Sequence, residues 1–181
     1  NEVGFTLGQV EGIQAMTDVT GFGLGGHLLE MCEGSDVAAQ IRFSDIPTLD
    51  FLGTYLEQKT FPGGTQRNFA SYGEKIGPLD ELQKAVICDP QTSGGLLVAV
   101  SSESEAALMA ITRKAGLELE SFGEIIAYDG GPRLRVEAAR AIARMLVASV
   151  VHCPGVDDFS SVLPRHGKHK VSPILIQLPS A

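Results

Sequence analysis

The sequence contains only three cysteines, Cys32, Cys88 and Cys153, and they lie far apart. An odd number of scattered cysteines argues against a disulfide framework and is typical of a reducing compartment. We therefore expect a cytoplasmic protein in which all three cysteines are small, buried side chains.

Long apolar runs and basic side chains are also scarce. No apolar run approaches the length that crosses a bilayer, and residues 1–10 lack the basic start of a secretory signal. Residues 1–128 carry 18 acidic and 7 basic side chains, whereas residues 129–181 carry 4 and 7. Because an acidic body repels phosphate backbones, we expect neither a nucleic acid nor a membrane as a partner.

What the sequence does contain is an alternation of strand-like and helix-like segments. Its 181 residues, 44% of them hydrophobic and 20% charged, are typical of a globular domain with a sizeable core. Strands are predicted within residues 12–19, 38–43 and 96–102, and a strand pair within 117–131. Helices are predicted within 23–34, 48–59 with Thr48 as a possible cap, 79–87, and 103–116 closed by Gly116, and a loop over 60–78. This order predicts an α/β (α+β) sandwich, with a mixed β-sheet flanked by helices.

The pattern changes after Gly131. We expect a body over residues 1–131, an extra helix over 132–151 and a basic, proline-containing tail over 152–181. The histidines of "RHGKHK" in this tail stand among basic residues, so we interpret them as part of a solvated segment and not as a metal site.

A polar island, "MTDVTGFGLGGHL" at residues 16–28, interrupts the apolar pattern. Asp18 ends a predicted strand just before a predicted helix, where ligands of layered α/β proteins bind. A carboxylate there can bind Mg²⁺, and the glycines would let the main chain approach a phosphate. Alternatively, Asp18 or Thr20 caps the helix and the glycines permit close packing. The sequence has no Gly-Lys-Ser/Thr phosphate loop, so a self-contained ATPase is not expected.

Two more polar islands follow, "PGGTQRNFASYG" at 62–73 and "CDPQTSGGLLVAV" at 88–100. In the first, Arg67 and Asn68 follow a Gly-Gly turn and could reach an anionic group or a neighbouring subunit, although Arg67 could equally be solvated. In the second, Thr92 and Ser93 offer hydroxyls directly before a buried strand. The alternative for this island is a structural turn.

Taken in this order, the three islands resemble the selenophosphate synthetase family, also called selenide, water dikinases, over about residues 10–128. The resemblance implies the C-terminal domain of the aminoimidazole ribonucleotide synthetase-like fold. It also implies a reaction of ATP, selenide and water that gives selenophosphate, AMP and orthophosphate with Mg²⁺. The implied partners are the N-terminal domain of the same enzyme, a second copy in a full-length homodimer, and selenide or a selenium-delivery protein.

The resemblance assigns roles to individual residues. Asp18 matches the family aspartate at the Mg²⁺ ions that bridge the ATP phosphates, and His27 is expected to be structural. Gly25 stands where the family has leucine, which should remove an apolar contact. The candidates for the nucleotide site are Thr17, Thr20, Gly21, Gly23, Arg67, Asn68, Thr92 and Ser93. Asp89 lies beside them in the third island.

The family's N-terminal reactive cysteine or selenocysteine, lysine and aspartates have no counterpart in this sequence. The chain is therefore expected to be a truncated C-terminal domain without catalytic residues of its own, and inactive alone. Two other functions remain open. One is a different ATP-using enzyme of the superfamily, and the other is a regulatory or partner-binding module that keeps the fold without the chemistry.

Overall fold

The computed structural model describes residues 3–137 and the backbone of residues 173–178. The strands are β1 (Ile13–Asp18), β2 (Val37–Arg42), β3 (Leu96–Ser101), β4 (Gly123–Ala127), β5 (Leu134–Glu137) and β6 (Pro173–Leu178). The helices are α1 (Val3–Leu7), α2 (Gly23–Gly34), α3 (Leu52–Glu57), α4 (Gly63–Tyr72), α5 (Glu81–Ile87) and α6 (Glu105–Lys114).

The six strands form one mixed sheet in the order β1-β3-β6-β4-β2-β5. Only β2 and β5 pair in parallel, and the other neighbours are antiparallel. Among the described strands, β1 lies at one edge, and its last residue, Asp18, pairs with Leu96 of β3. The expected mixed sheet flanked by helices is confirmed.

Strand β3 separates two apolar layers because all six of its residues are buried. Leu97 and Ala99 belong to a core with residues of α2, α4 and α5. The alternate residues of β3 pack instead against α1 and α6, through Leu7 and Leu108. A continuous apolar run in a covered strand is what burial on both faces requires.

Several helix boundaries follow from local chemistry. At the start of α5, the Asp80 carboxylate accepts a hydrogen bond from the Gln83 amide nitrogen at 2.8 Å, and the Gln83 side chain accepts one from the Asp80 nitrogen at 2.9 Å. This is a capping box, which satisfies two amides that a helix start leaves unpaired. After α6, Gly116 has a φ of +77°, as its predicted role in closing that helix requires.

Three local predictions are wrong. Residues 60–78 are not a loop, because residues 63–72 form α4, whose Phe69 and Tyr72 pack on the core. Thr48 is not a helix cap, since α3 begins only at Leu52. Residues 117–131 contain one strand, β4, and not a strand pair.

The end of the described body also differs from expectation. Residues 134–137, expected to lie in an extra helix, form β5 beside β2, so the expected boundary at residue 131 falls within the sheet. Residues 173–178, expected in a tail, form β6 between β3 and β4. The remainder of the expected helix, at 138–151, and the tail residues 152–172 and 179–181 lie outside the described residues.

Cys32 and Cys88 are buried thiols, as predicted, while Cys153 lies outside the described residues. Burial raises the pKa of Cys32 to about 12, and it also raises the pKa of Cys88. Both thiols are therefore protonated and poorly nucleophilic at neutral pH.

Within residues 3–137 and 173–178, no helix is long and apolar enough to span a bilayer.

Candidate functional site

The first and third motifs are joined by main-chain hydrogen bonds beyond the ends of β1 and β3. The Val19 nitrogen donates to the Gly95 carbonyl at 2.9 Å, and the Gly94 nitrogen donates to the Val19 carbonyl at 3.1 Å. One residue further, the Gln91 nitrogen donates to the Thr20 carbonyl at 3.0 Å. The two loops thus continue the antiparallel pairing that brings Asp18, which is exposed, to the end of the sheet.

Two glycines bring the start of α2 against the end of α5. Gly23 has a φ of +71°, and a Cβ atom there would lie 2.7 Å from the Asp89 carbonyl oxygen. A Cβ atom on Gly25 would lie 2.7 Å from Ile87 Cγ2. The lack of a side chain at Gly25, expected to remove an apolar contact, gives room to the fully buried Ile87.

Asn68, from the second motif, connects the other two. Its Nδ2 donates to the Gly21 carbonyl at 2.9 Å and to the Cys88 carbonyl at 3.0 Å. The Tyr72 hydroxyl, one turn further along α4, donates to the Phe22 carbonyl at 2.5 Å. Helix α4 therefore fixes the loop between β1 and α2 through two side chains, and both amide hydrogens of Asn68 are used within the protein.

We expect Asn68→Asp to lower the free energy of unfolding by about 2 kcal/mol, because the carboxylate cannot donate and would face two carbonyl oxygens. Thermal denaturation of the chain measures the change. The matched control is Gln66→Glu, which makes the same amide-to-carboxylate change at an exposed position of α4 and should have little effect. Equal stability of the two variants would contradict the role assigned to Asn68.

Asp89, in the third motif, is partly buried. Its carboxylate accepts hydrogen bonds from Gln91 Nε2 at 2.7 Å and from the Thr65 hydroxyl at 3.4 Å. Burial raises the pKa of Asp89, and the two hydrogen bonds oppose that rise. Asp89 therefore holds its own turn against α4.

The remaining candidates lie on the surface around the same end of the sheet. Thr92 and Ser93 are exposed in the turn before β3, Arg67 is exposed on α4, and Thr17 is partly buried. The structure thus brings Thr20, Gly23 and Asn68 into direct contact with the third motif, and Gly21 into contact with Asn68. Arg67 makes no ion pair among the described residues.

A hydrogen-bond chain at the start of α2 was not predicted. His27 Nε2 lies 3.0 Å from the Thr20 hydroxyl oxygen, and His27 Nδ1 lies 3.0 Å from Glu30 Oε2. His27 is buried, and its ring also packs against Phe22, with the ring centroids 5.7 Å apart. The three-residue spacing of His27 and Glu30 on a predicted helix was the available signal, but nothing in the sequence indicated that Thr20 folds back onto the ring.

The start of α2 also excludes one alternative. Helix α2 has Phe22 as its N-cap residue, and the Phe22 side chain makes no capping hydrogen bond. Phe22, and not Asp18 or Thr20, therefore occupies the N-cap position. The alternative in which glycines permit close packing holds for Gly23 and Gly25, as described above.

The side chains around Asp18 fit Mg²⁺ only in part. Among residues 3–137, no group of three or more His, Cys, Asp or Glu side chains is close enough together to hold a metal ion. Asp18 offers an exposed carboxylate, which fits one ligand position of a cation that prefers oxygen and usually retains phosphate and water ligands. Asp18 can complete such a site but cannot form one alone.

The mixed sheet and its motif-lined end define a class of domain. Residues 2–137 match the family described as AIR synthase related protein, C-terminal domain, and the chain belongs to this family.

Within that class, the chain is similar to proteins named selenide, water dikinase. That of Aeromonas salmonicida is 54% identical over 136 residues, which are 75% of this chain and 39% of that protein. Those of Colwellia psychrerythraea and Pseudomonas aeruginosa are 54% and 53% identical, over 70% of this chain and 37% of each protein. The resemblance to the selenophosphate synthetase C-terminal domain is confirmed, and the chain spans less than half the length of these relatives.

Proposed function

We propose that this chain is the C-terminal domain of a selenide, water dikinase, which converts ATP, selenide and water to selenophosphate, AMP and orthophosphate. The observation that carries the proposal is the meeting of the three motifs at one end of the sheet. Asn68 holds the first and third motifs together, and Asp18 lies exposed beside them. The similarity to proteins of that name supports the same conclusion.

Asp18 is the residue to which we assign a direct role. A carboxylate at this position would hold Mg²⁺ against the ATP polyphosphate. The bound cation would supply positive charge where phosphoryl oxygens accumulate negative charge. The exposed hydroxyls of Thr92 and Ser93 lie in the turn before β3 and would orient the phosphates.

The remainder of the enzyme is the proposed partner of this surface. Met16, on the same face of β1 as Asp18, is 36% exposed, and Phe22 in the next loop is 54% exposed. Exposed apolar side chains beside a polar site are typical of a surface that another domain covers. The N-terminal domain of the enzyme would cover it and supply the remaining Mg²⁺ ligands. A cytoplasmic full-length homodimer, supplied with selenide directly or by a delivery protein, completes the proposal.

A chimera tests this function. The whole 181-residue chain, which includes β6, would be joined to the part of the Aeromonas salmonicida enzyme that lies outside its match to this chain, with that whole enzyme as the reference. We expect selenide-dependent formation of AMP, with selenophosphate detected by ³¹P NMR, from the chimera as from the reference enzyme. The 181-residue chain and the other part should each be inactive when assayed separately.

Three outcomes would contradict the proposal. Turnover by the 181-residue chain would show that the site is complete in it. ATP consumption by the chimera without selenide would indicate a different ATP-using enzyme. A folded chimera without any turnover would favour a non-catalytic module.

A further inference from the structure

The hydrogen-bond chain of Thr20, His27 and Glu30 can have only one direction when the imidazole is neutral and the carboxylate is ionised. An ionised carboxylate can only accept hydrogen bonds, so Glu30 requires a proton on His27 Nδ1. A neutral imidazole carries one proton, so His27 Nε2 is then an acceptor. Thr20 must therefore donate its hydroxyl proton to His27 Nε2, and the lone pairs of its oxygen remain for other partners.

The Thr20 hydroxyl is not used for capping. The N-cap residue of α2 is Phe22, and the Thr20 hydroxyl, three residues before the first residue of α2, bonds to His27 instead. Thr20 is exposed and lies two residues after Asp18, in the loop that the third motif pins by the bond from Gln91. The Thr20 hydroxyl oxygen therefore lies at the same end of the sheet as Asp18.

Stability alone does not account for Glu30, the outermost residue of the hydrogen-bond chain. The Glu30 side chain is 58% exposed, and such ion pairs contribute little to stability. Its geometric effect is larger, because Glu30 fixes which nitrogen of a buried imidazole carries the proton. A carboxylate that fixes a histidine tautomer is a recurring device for orienting a group beyond the ring.

We propose that His27 and Glu30 are positioning residues that hold the Thr20 hydroxyl as a hydrogen-bond acceptor for a water molecule of the Mg²⁺ hydration shell. This inference rests on the proposed function. Mg²⁺ usually retains several of its waters, and these are donors that need acceptors nearby. Asp18 would bind the cation directly, and Thr20 would fix the cation's position through one of its waters.

The tautomer can be measured on the 181-residue chain itself. In alkaline buffer, ¹⁵N NMR of the imidazole nitrogens should show His27 with a protonated Nδ1 and an unprotonated Nε2. The spectrum of His27→Asn identifies the signals among the four histidines of the chain. Glu30→Gln should produce a mixture of tautomers, because the amide can donate as well as accept. A wild-type His27 protonated on Nε2 would overturn the proposal.

The effect on the cation is measured in a full-length enzyme that carries this domain, with Mn²⁺ as the probe and ADP bound. We expect Thr20→Val to weaken Mn²⁺ binding about fivefold, as the loss of one hydrogen bond predicts, and Thr20→Ser to leave it unchanged. Water proton relaxation reports the Mn²⁺ affinity without turnover, and thermal denaturation verifies that each variant is folded.

A double-mutant comparison separates positioning from general support of the fold. If His27 acts through Thr20, His27→Asn should weaken Mn²⁺ binding like Thr20→Val, and the two changes together should be no worse than either alone. Additive losses would overturn the inference, as would Mn²⁺ affinity that Thr20→Val leaves unchanged. Asp18→Asn distinguishes the two proposals, because Mn²⁺ affinity unaffected by that change would contradict the proposed function itself.

Discussion

Asp18→Asn is expected to reduce selenide-dependent AMP formation by a full-length enzyme carrying this domain by at least about 100-fold, the effect of removing one group that stabilises transition-state charge. The amide keeps the shape of the side chain but removes the negative charge that a Mg²⁺ ligand supplies. Because Asp18 is exposed at an edge strand, the substitution should leave the melting temperature nearly unchanged.

Asp50→Asn is the matched control, since Asp50 is also an exposed aspartate but lies before α3, outside all three motifs. It should have wild-type activity. Steady-state assays of AMP and selenophosphate, together with thermal denaturation, measure both variants. Activity of the Asp18 variant within a few-fold of wild type would refute the assigned role.

Gly23→Ala is expected to have the largest effect on stability, lowering the free energy of unfolding by about 2–4 kcal/mol. Part of this cost arises because a side chain is strained at a φ of +71°. The rest arises because the new Cβ atom would lie 2.7 Å from the Asp89 carbonyl oxygen and 3.0 Å from the Ile87 carbonyl oxygen, neither of which is the end of a flexible side chain.

Gly34→Ala, at the other end of the same helix, is the control for this prediction. A Cβ atom there meets nothing within 4 Å, and Gly34 is not among the residues with positive φ. Because alanine favours a helix over glycine, Gly34→Ala should be neutral or stabilising by up to about 1 kcal/mol. Urea denaturation of the chain compares the two, and a Gly23 variant as stable as the Gly34 variant would contradict the packing described here.

The sequence predicted most accurately the elements whose burial and boundaries depend on residues close together in the chain. Helix α2 spans residues 23–34 as predicted, and β3 occupies the apolar run that begins at residue 96. Helix α5 lies within its predicted range because its capping box is built from two residues three apart.

Helix α4 and the later strands could not be predicted in the same way. The Pro62-Gly63-Gly64 sequence resembles a turn, yet it begins α4. A Cβ atom on Gly64 would lie 2.7 Å from Pro90 Cγ, so the absence of a side chain there lets Pro90 pack against the start of the helix. Strands β5 and β6 complete the sheet through pairing with distant strands, and short apolar segments do not reveal such partners.

For the candidate site, the strand-to-helix transition indicated Asp18, and the structure places it exposed at that end of the sheet. The role of Asn68 could not be inferred, because its partners are carbonyls 47 and 20 positions away. His27 was expected to be structural, but its bonds to Thr20 and Glu30 depend on how the loop folds back.

The main-chain bonds between the loops after β1 and before β3 have a further consequence. A glycine-rich segment beside a phosphate site is often pictured as a flap that folds over its ligand. Here the segment is fastened on one side by Gln91, Gly94 and Gly95 and on the other by Asn68 and Tyr72. If a ligand is enclosed at this end of the sheet, the movement would then have to come from elsewhere than this segment.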